Sequence, residues 1–270
     1  VTLQNLTIEN ASGDSLTHGQ AISLYADGDR LAINSWRLIG HQDTLFTGPL
    51  PPKEIEPDGF IGPKQFAPRI NGRQYYKNCY ICGDIDFIFG SATAYFENCV
   101  IESLCHTTNV NDIQGYITAA STPESQEYGY VFSNCKLISK NCPPNSVYLG
   151  RPWRNYAKTV FLECALGNHI HECGFHDWKK EDARNTVLYA EYRNYPASSA
   201  DTTSNNRSLN DDIHCIDGRC IPYPHRAEYV CELDAVQAEH FSKENVLSGA
   251  DHWNPWRSHR WLQFARASFQ

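Results

Sequence analysis

Short runs in which apolar and polar residues alternate recur along the chain, and six of them share one pattern. In each, a central residue is followed two positions later by an apolar one, as in Cys79 and Ile81 or Cys99 and Ile101. A two-residue period is typical of a β-strand that buries one face. The central residues of the six copies are Leu6, Trp36, Cys79, Cys99, Cys135 and Cys164.

The spacing of these copies predicts the architecture. Neighbouring central residues lie 30, 43, 20, 36 and 29 residues apart, and each interval contains a turn or loop rich in Gly, Asn and Asp. Recurrence at about 20 to 50 residues indicates a solenoid. No amphipathic helical stretch separates consecutive copies, so strands must return directly to the same face. This pattern predicts an all-β parallel β-helix, in which coils stack on one another.

The chain contains 11 cysteines, and four of them occupy central positions of the repeat. We expect Cys79, Cys99, Cys135 and Cys164 to form an internal stack of small, unpaired side chains, with a ladder of Asn78, Asn98 and Asn134 beside them. Cysteine spacing does not favour a metal site, because the Cys-x-x-Cys motif at Cys79 and Cys82 stands alone. A local disulfide between Cys215 and Cys220 is as plausible as two free thiols.

Charge and hydropathy exclude two classes of partner. The net charge is −8 and the pI about 5.7, with Lys and Arg scattered along the chain, which argues against nucleic acid. Apolar runs are far shorter than the roughly 18 to 20 residues of a membrane span, which argues against a membrane.

Two copies of the repeat have matching residues beyond the central position, including an aspartate at the same offset. Asp43 follows Trp36 by seven residues, and Asp86 follows Cys79 by seven. On adjacent coils, equal offsets place both carboxylates at the same angle around the solenoid, about 4.8 Å apart along its axis. Two carboxylates this close do not both ionise easily, so one is expected to act as an acid and the other as an anion. Taken singly, each aspartate could instead cap a turn.

Arg151 is a candidate partner for one of these carboxylates. It lies between Gly150 and Pro152, next to Trp153. A guanidinium is a planar fork that can hold a carboxylate ionised and oriented. On this segment alone, a surface arginine in a turn is an equally good interpretation.

Five motifs resemble the pectin methylesterase family and occur in the family's order. They are His18-Gly19-Gln20-Ala21-Ile22-Ser23-Leu24, Gly40-His41-Gln42-Asp43-Thr44-Leu45-Phe46, Gly83-Asp84-Ile85-Asp86-Phe87-Ile88-Phe89-Gly90, Leu149-Gly150-Arg151-Pro152-Trp153 and Gly174-Phe175-His176-Asp177-Trp178. The resemblance implies a single-stranded right-handed parallel β-helix and the hydrolysis of methyl esters on polygalacturonate, without a metal or cofactor.

The resemblance also implies roles for individual residues. Asp86 would be the nucleophile and Asp43 the acid and then the base, while Arg151 would bind the nucleophile. Gln20 and Gln42 would stabilise the oxyanion. Substrate contacts are expected from Trp153, Phe175, Phe46, Phe89 and Trp178.

The resemblance predicts one domain over residues 1–270, with three departures from the family's usual pattern. Residues 47–73 form a proline-rich insertion expected at the rim of the cleft, and Phe175 stands where Trp is common. The first coils of the family are expected to be missing from the N-terminus. Residues 196–270 are expected to form C-terminal loops and a closing segment that packs on the helix.

The residues leave several alternatives open. A β-helix esterase or thioesterase with another acyl substrate, a non-catalytic carbohydrate-binding solenoid, and a galacturonan glycosidase all remain candidates. The expected partner is methyl-esterified homogalacturonan (pectin), bound by a monomer. A polymeric substrate favours secretion, whereas free core cysteines and the lack of a visible signal peptide fit a reducing compartment such as the cytoplasm.

Overall fold

The computed structural model describes residues 2–54, 57, 59, 62, 64–197 and 225–257. Its strands are β1 (Thr2–Gln4), β2 (Thr7–Glu9), β3 (Leu24–Ala26), β4 (Leu31–Asn34), β5 (Arg37–Ile39), β6 (Leu45–Thr47), β7 (Arg73–Lys77), β8 (Tyr80–Gly83), β9 (Ile85–Gly90), β10 (Thr93–Glu97), β11 (Val100–Ser103), β12 (Gly115–Ala120), β13 (Tyr130–Ser133), β14 (Lys136–Ile138), β15 (Val147–Pro152), β16 (Lys158–Leu162), β17 (Ala165–Leu166), β18 (Leu188–Tyr192), β19 (Tyr195–Pro196) and β20 (Val230–Glu232). Three short α-helices are α1 (Ser15–His18), α2 (Ala235–Glu239) and α3 (Lys243–Leu247), and two 3-10 helices cover Glu181–Asn185 and Pro255–Arg257.

These strands form three parallel sheets within the described part of the chain. Sheet A has the order β1-β4-β7-β10-β13-β16-β18-β20, sheet B the order β19-β17-β14-β11-β8-β5-β2, and sheet C the order β15-β12-β9-β6-β3. Neighbours in each sheet come from successive passes of the chain, so each pass adds one strand to the stack. The fold is a parallel β-helix, as the repeat predicted.

The pairing in sheet B confirms the register of the repeat. Arg37 pairs with Tyr80 and Tyr80 with Val100, so the residues after the central positions are partners on adjacent coils. One copy was missed. Ala165 pairs with Tyr195, which makes Asn194 a seventh central residue. The repeat was defined by apolar central residues, so a polar Asn194 did not match it. The Asn194 side chain is nevertheless buried, and its Oδ1 accepts a hydrogen bond from Cys164 N at 2.9 Å.

The interior is filled by stacks that run along the axis. Cys79, Cys99, Cys135 and Cys164 are free and at most 1% exposed, as expected. On the inner face of sheet A, four rings from successive coils stack nearly parallel, with centroid separations of 4.7, 4.4 and 4.6 Å. They belong to Tyr76, Phe96, Phe132 and Phe161.

The asparagines before the central cysteines have a different role from the one expected. Asn78, Asn98 and Asn134 have φ values of 53°, 55° and 52°, the left-handed conformation that asparagine tolerates best among residues with a side chain. Asn78 Nδ2 donates to Asn34 and Asn134 Nδ2 to Ser133, so the predicted ladder of these three side chains is wrong. They turn the chain between sheets A and B.

Residues 233–257, the C-terminal segment within the described part of the chain, cover the outer face of sheet A. Phe241, Val246 and Leu247 of this segment pack against Tyr75 and Tyr95. The predicted Cys215–Cys220 disulfide lies outside the described residues. No helix in the described part of the chain is long and apolar enough to cross a membrane.

Candidate active site

Asp43 and Asp86 lie on adjacent coils at the same position of sheet C. Leu45 pairs with Ile88 and Phe46 with Phe89, and Asp43 N donates to Ile85 O at 3.0 Å, so the same register carries Asp43 alongside Asp86. Both aspartates have positive φ, 66° and 50°. This conformation is costly for a residue with a Cβ and is typical of functional sites. Both side chains are nearly buried, at 5% and 6% exposure.

Arg151, near the end of β15, binds Asp86 through two parallel hydrogen bonds. Its Nε donates to Oδ1 at 2.8 Å and its Nη2 donates to Oδ2 at 2.7 Å. The guanidinium carbon lies 3.9 Å from the ring centroid of Tyr116 on one side and 3.7 Å from that of Trp178 on the other. Such an arrangement fixes the guanidinium plane and therefore the orientation of Asp86.

The two carboxyl groups differ in their electrostatic surroundings. Burial raises the pKa of Asp86 above its ordinary value, but the hydrogen bonds and charge of Arg151 oppose that rise. Burial and then the charge of Asp86 raise the pKa of Asp43 well above its ordinary value, with only partial opposition from Arg151. The geometry therefore favours an ionised Asp86 beside a protonated Asp43.

Gln20 and Gln42 are brought together by the backbone. They form a parallel bridge between adjacent coils, and Ala21 N donates to Gln42 O at 3.1 Å. Gln20 follows α1, and Gln42 directly precedes Asp43. The two predicted oxyanion residues thus lie side by side next to the aspartate pair.

A cleft with a volume of about 350 Å³ opens at Asp43. Its wall carries a row of aromatic rings from Tyr25, Phe46, Phe89 and Trp153, whose successive centroids are 4.5, 5.1 and 5.7 Å apart. Gln20, Ile22, Leu50, Gly59 and Gly62 complete the lining. Leu50, Gly59 and Gly62 belong to the proline-rich segment 47–73, so this segment contributes to the rim of the cleft.

One predicted substrate contact is wrong and another is changed. Phe175 is only 1% exposed, and its ring stacks on Tyr189 in the core at a centroid distance of 4.0 Å, so it cannot reach a ligand in the cleft. Trp178 lies over Arg151, the residue that binds Asp86, and its contact with substrate stays a prediction. Phe46 and Phe89 do line the cleft, although Phe46 is fully buried behind its neighbours.

Three residues of the site were missed by sequence reasoning. Tyr25 extends the aromatic row and Tyr116 supports Arg151, and both occupy strands that gave no signal beyond alternation. Lys180 Nζ donates to the carbonyls of Pro152 and Trp153 at 2.7 and 3.1 Å. Burial and the nearby charges of Arg154 and Arg151 lower the pKa of Lys180 to about 8. A lysine just beyond the last motif had no distinguishing pattern.

These features define a parallel β-helix protein with a paired-aspartate site in an aromatic cleft. No group of three or more His, Cys, Asp or Glu side chains suited to a metal ion occurs in the described ranges. Comparison with known proteins identifies the family. The pectinesterase family model matches residues 69–211, which is just over half of the 270 residues. The chain therefore belongs to the pectinesterase family.

Individual relatives agree with this assignment. Pectinesterase 31 of Arabidopsis thaliana is 34% identical over 77% of this chain and 56% of its own length, and probable pectinesterase A of Aspergillus fumigatus is 33% identical over 74% and 52%. The chain thus spans about half the length of these curated relatives.

Solved structures share the fold. A pectin methylesterase from Erwinia chrysanthemi superposes with a TM-score of 0.62 at 26% identity, covering 94% of this chain and 70% of that one. A pectin methylesterase in complex with a hexasaccharide gives a TM-score of 0.63 at 26% identity, covering 95% and 71%.

Proposed function

We propose that the protein hydrolyses the methyl esters of galacturonosyl residues in pectin, releasing methanol and leaving free carboxylates on the polymer. The observation that carries the proposal is the asymmetry of the aspartate pair. Arg151 holds Asp86 as an oriented anion, while Asp43, without a cation bound to it in the described part of the chain, stays protonated at the mouth of an aromatic cleft. Membership of the pectinesterase family and the hexasaccharide bound by a solved relative support pectin as the substrate.

The chemistry follows from these states. A carboxylate oxygen of Asp86 attacks the ester carbonyl carbon, and the amides of Gln20 and Gln42 donate to the oxyanion that develops. The bond to the methoxy group breaks as Asp43 gives its proton to the departing oxygen, which leaves as methanol. An acyl-enzyme anhydride on Asp86 remains.

The second half of the reaction returns the site to its starting state. Asp43, now anionic, takes a proton from water, and the resulting hydroxide attacks the acyl carbon. Cleavage frees the Asp86 carboxylate and the galacturonate product. Every step uses side chains of this chain, so the proposal invokes no metal or organic cofactor, and it treats one chain as the acting unit.

Aromatic rings support a sugar substrate, because their faces stack on pyranose rings. The row formed by Tyr25, Phe89 and Trp153 runs along the cleft next to Asp43. A related esterase or thioesterase with another acyl substrate would use the same carboxylates but would not need this row.

Product analysis tests the proposal. We expect methanol to be released from methylated polygalacturonate without new reducing ends, and at a higher kcat/KM than from small methyl esters or thioesters. New reducing ends without methanol would indicate a glycosidase. Binding of pectin without either product would indicate a carbohydrate-binding solenoid.

A further inference from the structure

Asp84 is a carboxylate that the proposed reaction does not use, although it lies two residues before Asp86. It occupies the corner between β8 and β9 and is fully buried, at 0% exposure. Burial of a carboxylate costs several kcal/mol unless hydrogen bonds compensate for lost water. The hydrogen bonds of Asp84 therefore indicate which parts of the chain it stabilises.

The hydrogen bonds of Asp84 lead to two different segments of the chain. Ser15 Oγ donates to its Oδ2 at 2.6 Å, and His41 Nδ1 lies 3.2 Å from the same oxygen. Its Oδ1 accepts from the backbone N–H of Ile85 at 2.6 Å. A carboxylate oxygen accepts, so the Nδ1–H of His41 is the donor in this contact.

Ser15 is the anchor of α1. It is the buried residue of this four-residue helix, whereas Leu16 is 63% exposed. His106 Nδ1 lies 2.7 Å from Ser15 Oγ, and since the hydroxyl proton goes to Asp84, His106 must be the donor. The helix is thus held to the β-helix by a chain of polar contacts that ends on Asp84.

Both anchored segments lead directly to the oxyanion residues. Ser15 lies five residues before Gln20, with only the rest of α1 and Gly19 between them, and His41 directly precedes Gln42. The carboxylate of Asp84 therefore contacts both of the chain segments that carry Gln20 and Gln42. We propose that Asp84 is a positioning residue that sets the relative placement of Gln20 and Gln42, a role that rests on the proposed function of this pair.

An oxyanion contact is stronger in the transition state than with bound substrate, so its misplacement lowers kcat and leaves KM nearly unchanged. Loss of one oxyanion donor outright costs about 10²- to 10³-fold in kcat. For Asp84→Ala, which loosens both donors without removing them, we expect a fall of about 10- to 100-fold in kcat, with KM within about twofold.

Two further variants separate position from charge. Asp84→Asn keeps one oxygen that can accept from Ser15 and His41, although it lacks the charge and gives up the acceptor for Ile85 N–H, and it should retain kcat within about fivefold of wild type. Ser15→Ala should lower kcat in the same direction as Asp84→Ala but by less, because it breaks only the connection to the Gln20 segment, and the double variant should be no worse than Asp84→Ala alone. Ser15→Ala removes one hydroxyl and leaves Asp84 in contact with His41 and Ile85, so it tests the proposal even where Asp84→Ala fails to fold.

Glu191 provides a matched control. It is a buried carboxylate on β18 of sheet A, bonded to Asn194 and Arg226. Glu191→Ala should lower the melting temperature and leave kcat unchanged.

Hydrogen exchange followed by mass spectrometry gives a readout that does not depend on activity. In Asp84→Ala, exchange should rise in the peptides that contain Ser15–Gln20 and His41–Gln42, in Ser15→Ala it should rise in the first of these, and in both variants it should stay constant in β18. Unchanged exchange in these peptides, a loss expressed mainly in KM, or equal losses in Asp84→Asn and Asp84→Ala would each overturn the positioning role. Absence of methanol release by the wild-type protein would instead refute the proposed function, and the exchange data would still decide what Asp84 holds.

Discussion

At the scale of single residues, Asp43 and Asp86 have the same side chain, similar burial and the same left-handed backbone. Their difference comes from Arg151, which forms a bidentate pair with Asp86. The sequence register was enough to predict that the two carboxylates face each other. It could not predict the stacking of Tyr116 and Trp178 on the guanidinium, because neither the motif that contains Trp178 nor the strand that contains Tyr116 indicates which side chain these rings contact.

The raised pKa values of both aspartates predict a bell-shaped pH profile for kcat/KM. Protonation of Asp86 should abolish activity on the acid side at a pH above the ordinary aspartate value of 3.8, because burial raises its pKa. Ionisation of Asp43 should abolish activity on the alkaline side, because its pKa is raised further.

Lys180 offers a control for this profile, since its own pKa is lowered to about 8. Its charge also lowers the pKa of Asp86. In Lys180→Met, the acid limb should move to higher pH, while the alkaline limb stays where Asp43 puts it. Loss of the alkaline limb in this variant would assign it to Lys180 instead.

At the scale of elements, the cysteine stack makes a prediction about reactivity. Cys79, Cys99, Cys135 and Cys164 are buried on successive coils, whereas Cys231 is exposed. In the native state, a thiol reagent should modify Cys231 quickly and the four stacked cysteines only at the rate of unfolding. Peptide mapping after timed labelling measures both. A disulfide within the stack would contradict the register.

The aromatic stack on sheet A fills part of the interior of the β-helix. Phe132 lies between Phe96 and Phe161 at centroid distances of 4.4 and 4.6 Å and is fully buried. We expect Phe132→Ala to lower the free energy of unfolding by about 3–5 kcal/mol through the cavity it leaves, and Phe132→Leu by clearly less. Denaturant melts of the three proteins provide the comparison, and a cost below about 1 kcal/mol for Phe132→Ala would contradict close packing of the stack.

The sequence predicted those elements whose pattern of residues is local. It did not predict features that depend on contacts between residues distant in the chain. Alternation and equal offsets gave the coils, because parallel stacking repeats the same local rule on each pass. Asn194 was missed because its side-chain oxygen is satisfied by the backbone of Cys164, about 30 residues away. Phe175 was assigned to the cleft because a motif fixes its neighbours in the chain, and only the packing against Tyr189 shows which way its ring points.

At the scale of the whole molecule, net charge makes a prediction about substrate preference. Each turnover leaves a carboxylate on the polymer, and a protein of net charge −8 should repel that product more than the methylated substrate. Two of the four cations of segment 47–73 are already paired with carboxylates, because Lys64 pairs with Asp27, and Arg73 with Asp29 and Asp251.

We therefore expect a preference for highly methylated pectin and a slowing of the reaction as esters are removed. Added monovalent salt should relieve much of the slowing, because exposed charges are screened over about 8 Å at physiological ionic strength. Progress curves on pectins of high and low ester content at two salt concentrations measure the effect. Equal kcat/KM for both pectins at low salt would show that local cations near the cleft outweigh the net charge.

The central claim is that Asp86 is the nucleophile of an ester hydrolase, and Asp86→Asn tests it most directly. The amide has nearly the same shape and can still accept from Arg151, but it cannot attack an ester. Methanol release from methylated pectin should be compared for wild type and Asp86→Asn, with the melting temperature as a check that the variant is folded. The account predicts a folded variant that releases methanol at less than about a hundredth of the wild-type rate. A folded variant that keeps more than about a tenth of that rate would contradict it.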